Sequence, residues 1–484
     1  MPSIWLNITT IHGWQRPAVG IVRVESECAS YALSHTTLPV RFCRFEAGEK
    51  KFVEVSAGEV RQILDRIRAR APVDSAAKAQ RSQQSPTVTE GSTPVRSTAE
   101  QRAVQWTFAL INRLPSSVRQ TALHFAALRF PAFQSAVRSF LELRKATRQF
   151  FKPEGTTPYP PLSREPVRAK EPTLGQVPFA SDDTYISLGL DWDQKDVIFL
   201  YEQRQRIGFK TLLFCYDIIP VKLPHLCVDD VASKFAMYFA NLAWSADKIQ
   251  CISECSRNDL QQLLTNLGAP IPDLEVVRLG CDIPSLPDDE PTSEVASLIT
   301  QEFLLFVSTI ERRKNHETIY RAYTRLVDEG CNDLPLLVFV GMPGWGVGDL
   351  LADLRLDPRI LPFIRILNHV TDADLIHLYR NAKFTVYPSL YEGWGLPVAE
   401  SLAYGKFCLA ANSASIPEVG GDLIEYLDPW NVPLWAERLR WYIEHPTALA
   451  DAERRIQTNF QPTLWSACAS SIICANVVRG STMS

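Results

Sequence analysis

Two glutamates eight positions apart, Glu392 and Glu400, carry the strongest chemical pattern in the chain. The apolar run 384–388 before them predicts a buried strand. The helix after that run is predicted to begin at Pro397, because the first helical position does not need an N–H. Free N–H groups at a helix start favour an anion, so this turn combines two carboxylates with a place for negative charge.

Gly393 and Gly395 lie in the same turn, where each lets the backbone pass close to a ligand. Bare backbone, paired carboxylates and a helix start suit a phosphorylated, hydroxyl-rich ligand, and a nucleotide sugar has that chemistry. A capping or solvated pair of carboxylates is the alternative, since this spacing is common by chance. The surrounding Gly-x-Gly-Leu-Pro run and the later Ser-Ile-Pro-Glu run at 415–418 favour the functional interpretation.

This stretch resembles the E-x7-E signature of glycosyltransferase family 4, whose members are retaining enzymes of the GT-B fold. The resemblance implies that Glu392 and the loop after it hold the donor sugar, and that Glu400 holds the nucleotide ribose. The loop residues implied in donor binding are Gly393, Trp394, Gly395, Leu396 and Pro397.

A basic turn, Arg312-Arg313-Lys314, follows the predicted strand Phe303–Val307. Basic residues at a helix start oppose the helix dipole, so an ordinary solvated surface explains this cluster poorly. The resemblance implies that Lys314 binds the donor diphosphate and that Arg312 or Arg313 assists it. Ser308 is also expected near the donor, although many relatives carry Arg or Gly at this place.

Two further strand ends are candidate parts of the site. Asp217 follows the predicted strand 210–216, and the resemblance implies that it orients the acceptor or touches the donor. Its alternative role is to cap a turn. His369 and Val370 follow the predicted strand 360–367, which in this family borders the nucleotide base.

Near the N-terminus, a predicted strand at 4–8 leads through a loop into a predicted helix at 21–34. The run that begins at Gly20 and includes Arg23 is similar to the glycine loop that faces the interdomain cleft in family 4. The resemblance therefore implies a place for both on the acceptor side. The alternative for Arg23 and Glu25 is an ordinary exposed pair on the helix.

No metal or other cofactor is expected. Asp191-Trp-Asp193 matches the metal-binding D-x-D of a different transferase fold, but it stands before a predicted helix, where Asp is a common N-cap. Enzymes of the GT-B fold generally stabilise the leaving diphosphate with a helix dipole and basic side chains instead.

Composition narrows the class of protein. A formal net charge of −4 gives no sign of nucleic-acid binding, and 11 cysteines without a paired framework favour reduced thiols. The first residues lack the basic and apolar regions of a signal peptide, and no apolar run reaches about eighteen residues. We therefore expect a cytoplasmic protein.

The 484 residues predict an α/β chain of the GT-B fold, with two Rossmann-like domains facing across a cleft. The N-terminal, acceptor domain is expected over 1–72 and 181–285, and the linker over 286–300. The C-terminal, donor domain is expected over 301–446. Residues 447–484 would form a helix or tail, which in this fold often crosses back to the first domain.

An insertion over 73–180 interrupts the first domain. Residues 73–100 and 151–180 are rich in polar residues and proline and are predicted to be disordered or extended. Residues 101–150 predict two helices rich in phenylalanine and arginine, which could lie on an anionic membrane surface. A helical insertion packed on its own domain is the alternative.

Taken together, the resemblance implies a retaining, mannosyltransferase-like enzyme of polysaccharide biosynthesis. It would transfer a sugar from a nucleotide-diphosphate sugar, with GDP-mannose the first choice, to a glycan or lipid-linked glycan acceptor. A nucleotide-sugar epimerase of the same fold and a non-catalytic GT-B scaffold are the alternatives.

Overall fold

A computed structural model describes residues 2–69, 177–227, 231–282 and 290–474, except positions 16, 17, 19, 36 and 38. The predictions for residues 73–176, including the basic helices at 101–150, lie outside the described residues. Among those described, no helix is long and apolar enough to cross a membrane.

Within the described ranges, the first lobe is built on a seven-stranded sheet with the order β3-β2-β1-β4-β5-β6-β7. Only the pairing of β2 with the edge strand β3 is antiparallel among these strands. The strands are β1 (Ile4–Asn7), β2 (Val40–Glu46), β3 (Lys51–Val55), β4 (Thr184–Ser187), β5 (Lys210–Cys215), β6 (Lys248–Cys251) and β7 (Asp273–Val276).

Helices cover both faces of this sheet, because alternate strand residues point to opposite sides. Leu6 packs with α2 and α3 on one face, whereas Trp5 packs with α5 and α7 on the other. The helices of this lobe are α1 (Thr9–Gly13), α2 (Ile21–Ser34), α3 (Ala57–Ala69), α4 (Asp191–Gln194), α5 (Val197–Ile207), α6 (Ile219–Lys222), α7 (Val231–Ser245) and α8 (Glu254–Leu267).

The second lobe has a six-stranded parallel sheet, counted over the described residues, with the order β10-β9-β8-β11-β12-β13. Its strands are β8 (Phe303–Val307), β9 (Leu336–Val340), β10 (Ile364–Leu367), β11 (Phe384–Tyr387), β12 (Cys408–Ala411) and β13 (Glu425–Leu427). The helices that follow the first lobe are α9 (Ser293–Leu298), α10 (His316–Asp328), α11 (Gly348–Leu356), α12 (Asp372–Asn381), α13 (Leu396–Ala403), α14 (Ile416–Gly420), α15 (Val432–Glu444), α16 (Pro446–Asn459) and α17 (Trp465–Cys474).

The chain is therefore α/β with two Rossmann-like lobes, which is the GT-B arrangement that the sequence predicts. Helix α17 returns to the first lobe and packs on the same face as α2. The backbone N–H of Cys281 donates to the carbonyl of Thr463 at 2.9 Å, and the N–H of Trp465 donates to Asp282 at 2.6 Å.

Some elements differ from the sequence prediction. Strand β3 was not expected. Helix α9 occupies part of the predicted linker, where the N–H of Thr292 donates to Asp374 of α12 at 2.7 Å.

Candidate functional site

Glu392 lies in the turn after β11, and its buried carboxylate gathers the polar groups around it. Oε1 accepts hydrogen bonds from Lys314 Nζ at 2.6 Å, Ser389 Oγ at 2.6 Å and Tyr387 Oη at 3.0 Å. Oε2 lies 2.9 Å from Arg313 Nη1. Burial by itself raises the pKa of Glu392, but the two cations and their hydrogen bonds outweigh it and lower the pKa to about 2.

The basic turn 312–314 places its three side chains differently. Lys314 and Arg313 are both largely buried, and Arg313 also pairs with Glu311 at 2.7 Å. Burial favours the neutral amine and lowers the pKa of Lys314, with Glu392 opposing that shift. Arg312 points elsewhere and reaches the carbonyl of His225 at 3.5 Å. The structure thus brings Arg313 and Lys314, but not Arg312, to Glu392.

Glu400 is buried in the second turn of α13. Its Oε2 accepts from Tyr379 Oη at 2.9 Å, and its Oε1 lies 3.9 Å from Arg23 Nη1 of the first lobe. Burial raises the pKa of Glu400 to about 7, although Arg23 and the tyrosine act in the opposite direction. Arg23 also pairs with Asp372 at 2.9 Å.

Arg23 and Glu25 are both buried, so the alternative of an exposed helix pair is wrong. Glu25 accepts the backbone N–H of Ile11 at 2.8 Å and therefore holds α1 against α2. Burial raises the pKa of Glu25 to about 7. Gly20, the residue before α2, has the positive φ of 52° that a glycine adopts without strain.

Asp217 lies at the carboxyl end of β5, in the first lobe, and its Oδ1 accepts the N–H of Ile219 at 3.0 Å. It therefore caps a turn as well as facing the second lobe. Burial raises the pKa of Asp217, while Arg313 has the largest opposing effect.

The backbones of the two lobes approach each other closely at Gly393. A Cβ at Gly393 would lie 2.5 Å from the carbonyl oxygen of Tyr216 and 3.0 Å from Asp217 Cβ. Gly395 has a φ of 111° and is the N-cap of α13, so Leu396 opens this helix and Pro397 is its second residue rather than its first. Trp394 is buried between the two glycines.

The remaining predicted residues follow two other strands of the second sheet. Ser308 follows β8 and has its hydroxyl 3.4 Å from the ring of His316. His369, with a φ of 60°, and the half-buried Val370 follow β10 and precede the helix that carries Asp372. They are therefore close in sequence to Asp372, which pairs with Arg23.

Asp191 is not the N-cap that the sequence predicts. Leu190 is the N-cap of α4, while Asp191 pairs with Lys195 at 2.6 Å and accepts from Ser187 at 2.8 Å. No group of three or more His, Cys, Asp or Glu side chains in the described part of the chain is arranged to hold a metal ion.

Sequence reasoning missed the polar residues that surround the paired glutamates. Tyr387, Ser389 and Tyr379 carry no motif of their own, because hydroxyl side chains are common at strand and helix ends. The Ser-Ile-Pro-Glu run also supports the site, because Ser415 Oγ shares its proton between the carbonyls of Glu392 and Trp394, each at 2.9 Å.

Comparison with known proteins places these residues in context. Residues 290–459 match the family model "Glycosyl transferases group 1". O-antigen chain mannosyltransferase B of Escherichia coli is 30% identical over 235 residues, which are 48% of this chain and 60% of that protein. D-inositol 3-phosphate glycosyltransferase of Thermobifida fusca (strain YX) is 30% identical over 205 residues, 38% of this chain and 47% of that protein.

Among solved structures, Anabaena Alr3699/HepE in complex with UDP superposes with a TM-score of 0.46 at 15% identity, covering 62% of this chain and 79% of that one. The chain spans less than two thirds of the length of either curated relative. The family match covers residues 290–459, which include all of the second sheet. Together with the mannosyltransferase relative, this match supports a glycosyltransferase.

Proposed function

We propose that this chain is a retaining glycosyltransferase that transfers a sugar from a nucleotide-diphosphate sugar to a glycan or lipid-linked glycan acceptor. The observation that carries the proposal is the convergence of Lys314 and Arg313 on Glu392 at the end of β11. Buried cations that already hold a carboxylate are suited to a diphosphate, which presents similar oxygens with more charge. The group 1 match and the mannosyltransferase relative make GDP-mannose the first donor to test.

We assign the diphosphate to Lys314 and Arg313, and the ribose hydroxyls to Glu400. When the donor enters, its diphosphate takes over the two cations and Glu392 turns to the sugar hydroxyls. Before the donor enters, Arg313 and Lys314 hold the pKa of Glu392 at about 2 and keep it ionised, and a carboxylate accepts hydrogen bonds from sugar hydroxyls.

The other assignments follow the family resemblance and belong to the same proposal. Arg312 lies beside the site, facing the first lobe, and Ser308 lies at the end of β8, shortly before the phosphate-binding turn in the chain. His369 and Val370 border the base, while Gly20 and Arg23 border the acceptor side. The rest of the donor loop is assigned to Gly393, Trp394, Gly395, Leu396 and Pro397.

In the proposed reaction, the bond between the anomeric carbon and the diphosphate oxygen breaks and leaves its electron pair on that oxygen. Lys314 and Arg313 stabilise the resulting charge. The acceptor hydroxyl attacks from the face that the diphosphate leaves, and its proton passes to the leaving group, so the anomeric configuration is retained. Asp217 orients the acceptor hydroxyl. No metal ion or other cofactor takes part in this scheme.

A thermal-shift panel tests donor binding. GDP-, UDP-, dTDP- and ADP-sugars are compared on the wild type, on Glu400→Gln and on a control, Glu317→Gln. The side chain of Glu317 is exposed and contacts Arg321 of the same helix, α10. Ligand that binds only the folded state raises the melting temperature. We expect one nucleotide to stabilise the wild type and the Glu317 variant but not Glu400→Gln. No shift with any donor would contradict the proposal.

Product analysis with the identified donor tests the reaction. A retaining transferase forms a linkage with the same anomeric configuration as the donor, which NMR of the product shows, whereas an inverted linkage would contradict the retaining mechanism. Isomerised or free sugar without an acceptor would instead identify the epimerase alternative, and donor binding without turnover would identify a scaffold.

We further propose that residues 101–150, which lie outside the described residues, contact anionic lipid at the cytoplasmic face of the membrane. Flotation with vesicles of anionic lipid tests this contact. Deletion of 101–150 should abolish flotation, and undiminished flotation of the deleted protein would contradict the proposal.

A further inference from the structure

The first turn of α8, which belongs to the first lobe, is held by the second lobe. Glu418 accepts the backbone N–H of Glu254 through Oε2 and that of Cys255 through Oε1, both at 2.8 Å. Ser256 Oγ donates to the carbonyl of Gly393 at 3.2 Å. The N–H groups at the start of a helix have no partner inside it, so a carboxylate from the facing lobe fills that need.

Glu418 is also tied to the turn that carries Glu392. It belongs to α14, and Ser415, immediately before that helix, donates to the carbonyls of Glu392 and Trp394. Less than one helical turn of backbone therefore separates the side chain that holds the Glu392 turn from the side chain that holds α8.

A second contact holds the turn that carries Glu392 against α8. Tyr391, next to Glu392, donates its hydroxyl to Asp259 of α8, and Asp259 also pairs with Lys222. The hydroxyl of Tyr391 lies 3.5 Å from Cys255 Sγ. The turn is thus supported on one side by α14 and on the other by the helix that Glu418 binds.

We propose that Glu418 is a positioning residue that couples closure of the two lobes to the placement of the Glu392 turn. Its two charge-assisted hydrogen bonds, and its interaction with the dipole of the helix Glu254–Leu267, exist only when the lobes are together. When the lobes separate, the carboxylate and both amides return to water, so the contact favours the closed state alone. The effect on sugar transfer rests on the proposed function, whereas the contact between the lobes does not.

Hydrogen exchange measures the contact without any donor. In Glu418→Gln the side chain keeps its size, but its amide nitrogen cannot accept a hydrogen bond, so one of the two amides loses its partner. In Glu418→Gln we expect the amide that loses its partner, that of Glu254 or Cys255, to exchange about tenfold faster than in the wild type, and in Glu418→Ala we expect both amides to do so. Glu317→Gln, in the first turn of α10, is the matched control and should leave both rates unchanged. Wild-type exchange rates in both Glu418 variants would overturn the inference.

Steady-state kinetics measure the coupling. We expect kcat to fall about tenfold in Glu418→Gln while the affinity for free nucleoside diphosphate changes less than twofold, because the group is not assigned to the donor. Glu418→Asp, which keeps the charge, should recover part of kcat. Faster exchange with wild-type kcat would overturn the coupling. If the wild type transfers no sugar from any donor, the proposed function fails, and the exchange rates alone decide the inference.

Discussion

Arg23 of the first lobe lies 3.9 Å from the carboxylate of Glu400 in the second lobe. The residues come from opposite ends of the chain, and both are buried where the lobes meet. A cation at this distance stabilises the ionised form of Glu400, yet burial dominates and raises its pKa to about 7. The protonation of Glu400 is therefore linked to folding near neutral pH.

Stability should fall as the pH rises from about 4.5 to 7 because of Glu400. Its pKa is higher in the folded state than in the unfolded chain, so between these values the folded protein keeps a proton that unfolding releases. The contribution is fully present below the unfolded pKa and is lost above the folded one. Between pH 5 and 8, the wild type should lose up to about 3 kcal/mol more unfolding free energy than Glu400→Gln does, as measured by urea denaturation at both pH values. An equal decrease in wild type and variant would contradict this assignment.

Removal of the Glu392 charge should leave two buried cations without their carboxylate. We expect Glu392→Gln to lower the free energy of unfolding by about 3 kcal/mol and to abolish transfer. Nucleoside diphosphate should stabilise this variant more than the wild type, because its phosphates no longer compete with Glu392 for Lys314 and Arg313. Calorimetry with and without GDP measures both effects, and Glu317→Gln is the control. A variant that GDP stabilises less than the wild type would argue against the phosphate assignment.

Gly393→Ala should force the lobes apart, because the new Cβ would lie 2.5 Å from the carbonyl oxygen of Tyr216. Backbone cannot yield as a flexible side chain can, so we expect a loss of about 1–3 kcal/mol in stability and at least a tenfold loss in kcat/KM. Gly48→Ala is the control, since a Cβ at Gly48 meets nothing within 4 Å. Unfolding and kinetic measurements on both variants test this, and equal behaviour would show that the lobes need not meet at Gly393.

Asp217→Asn should impair the use of the acceptor without weakening donor binding. The amide oxygen still accepts the N–H of Ile219, so the turn is preserved, but the second oxygen becomes an NH₂ group that cannot accept a hydrogen bond from an acceptor hydroxyl. We expect kcat to fall by about 10²-fold or more with the donor affinity unchanged. Equal losses of kcat and donor affinity would indicate that Asp217 binds the donor and does not orient the acceptor.

The sequence by itself determined the two α/β lobes and the turn that carries Glu392 and Glu400. Apolar runs mark the strands because parallel strands are buried on both faces, and the glycines and proline around the glutamates fix a strand-to-helix turn locally. It also showed that a basic turn follows β8. It missed β3, since a short edge strand with charged residues has little apolar pattern.

Only the tertiary structure decided which groups meet. The choice of Arg313 over Arg312 depends on the direction of each side chain in a short 3₁₀ turn, which a run of three basic residues does not reveal. The burial of Arg23 depends on Asp372 and Glu400 of the other lobe, and the role of Glu418 depends on a helix more than a hundred residues away in the chain. These contacts join segments distant in sequence, and their energy comes from burial and pairing that exist only once the lobes are packed.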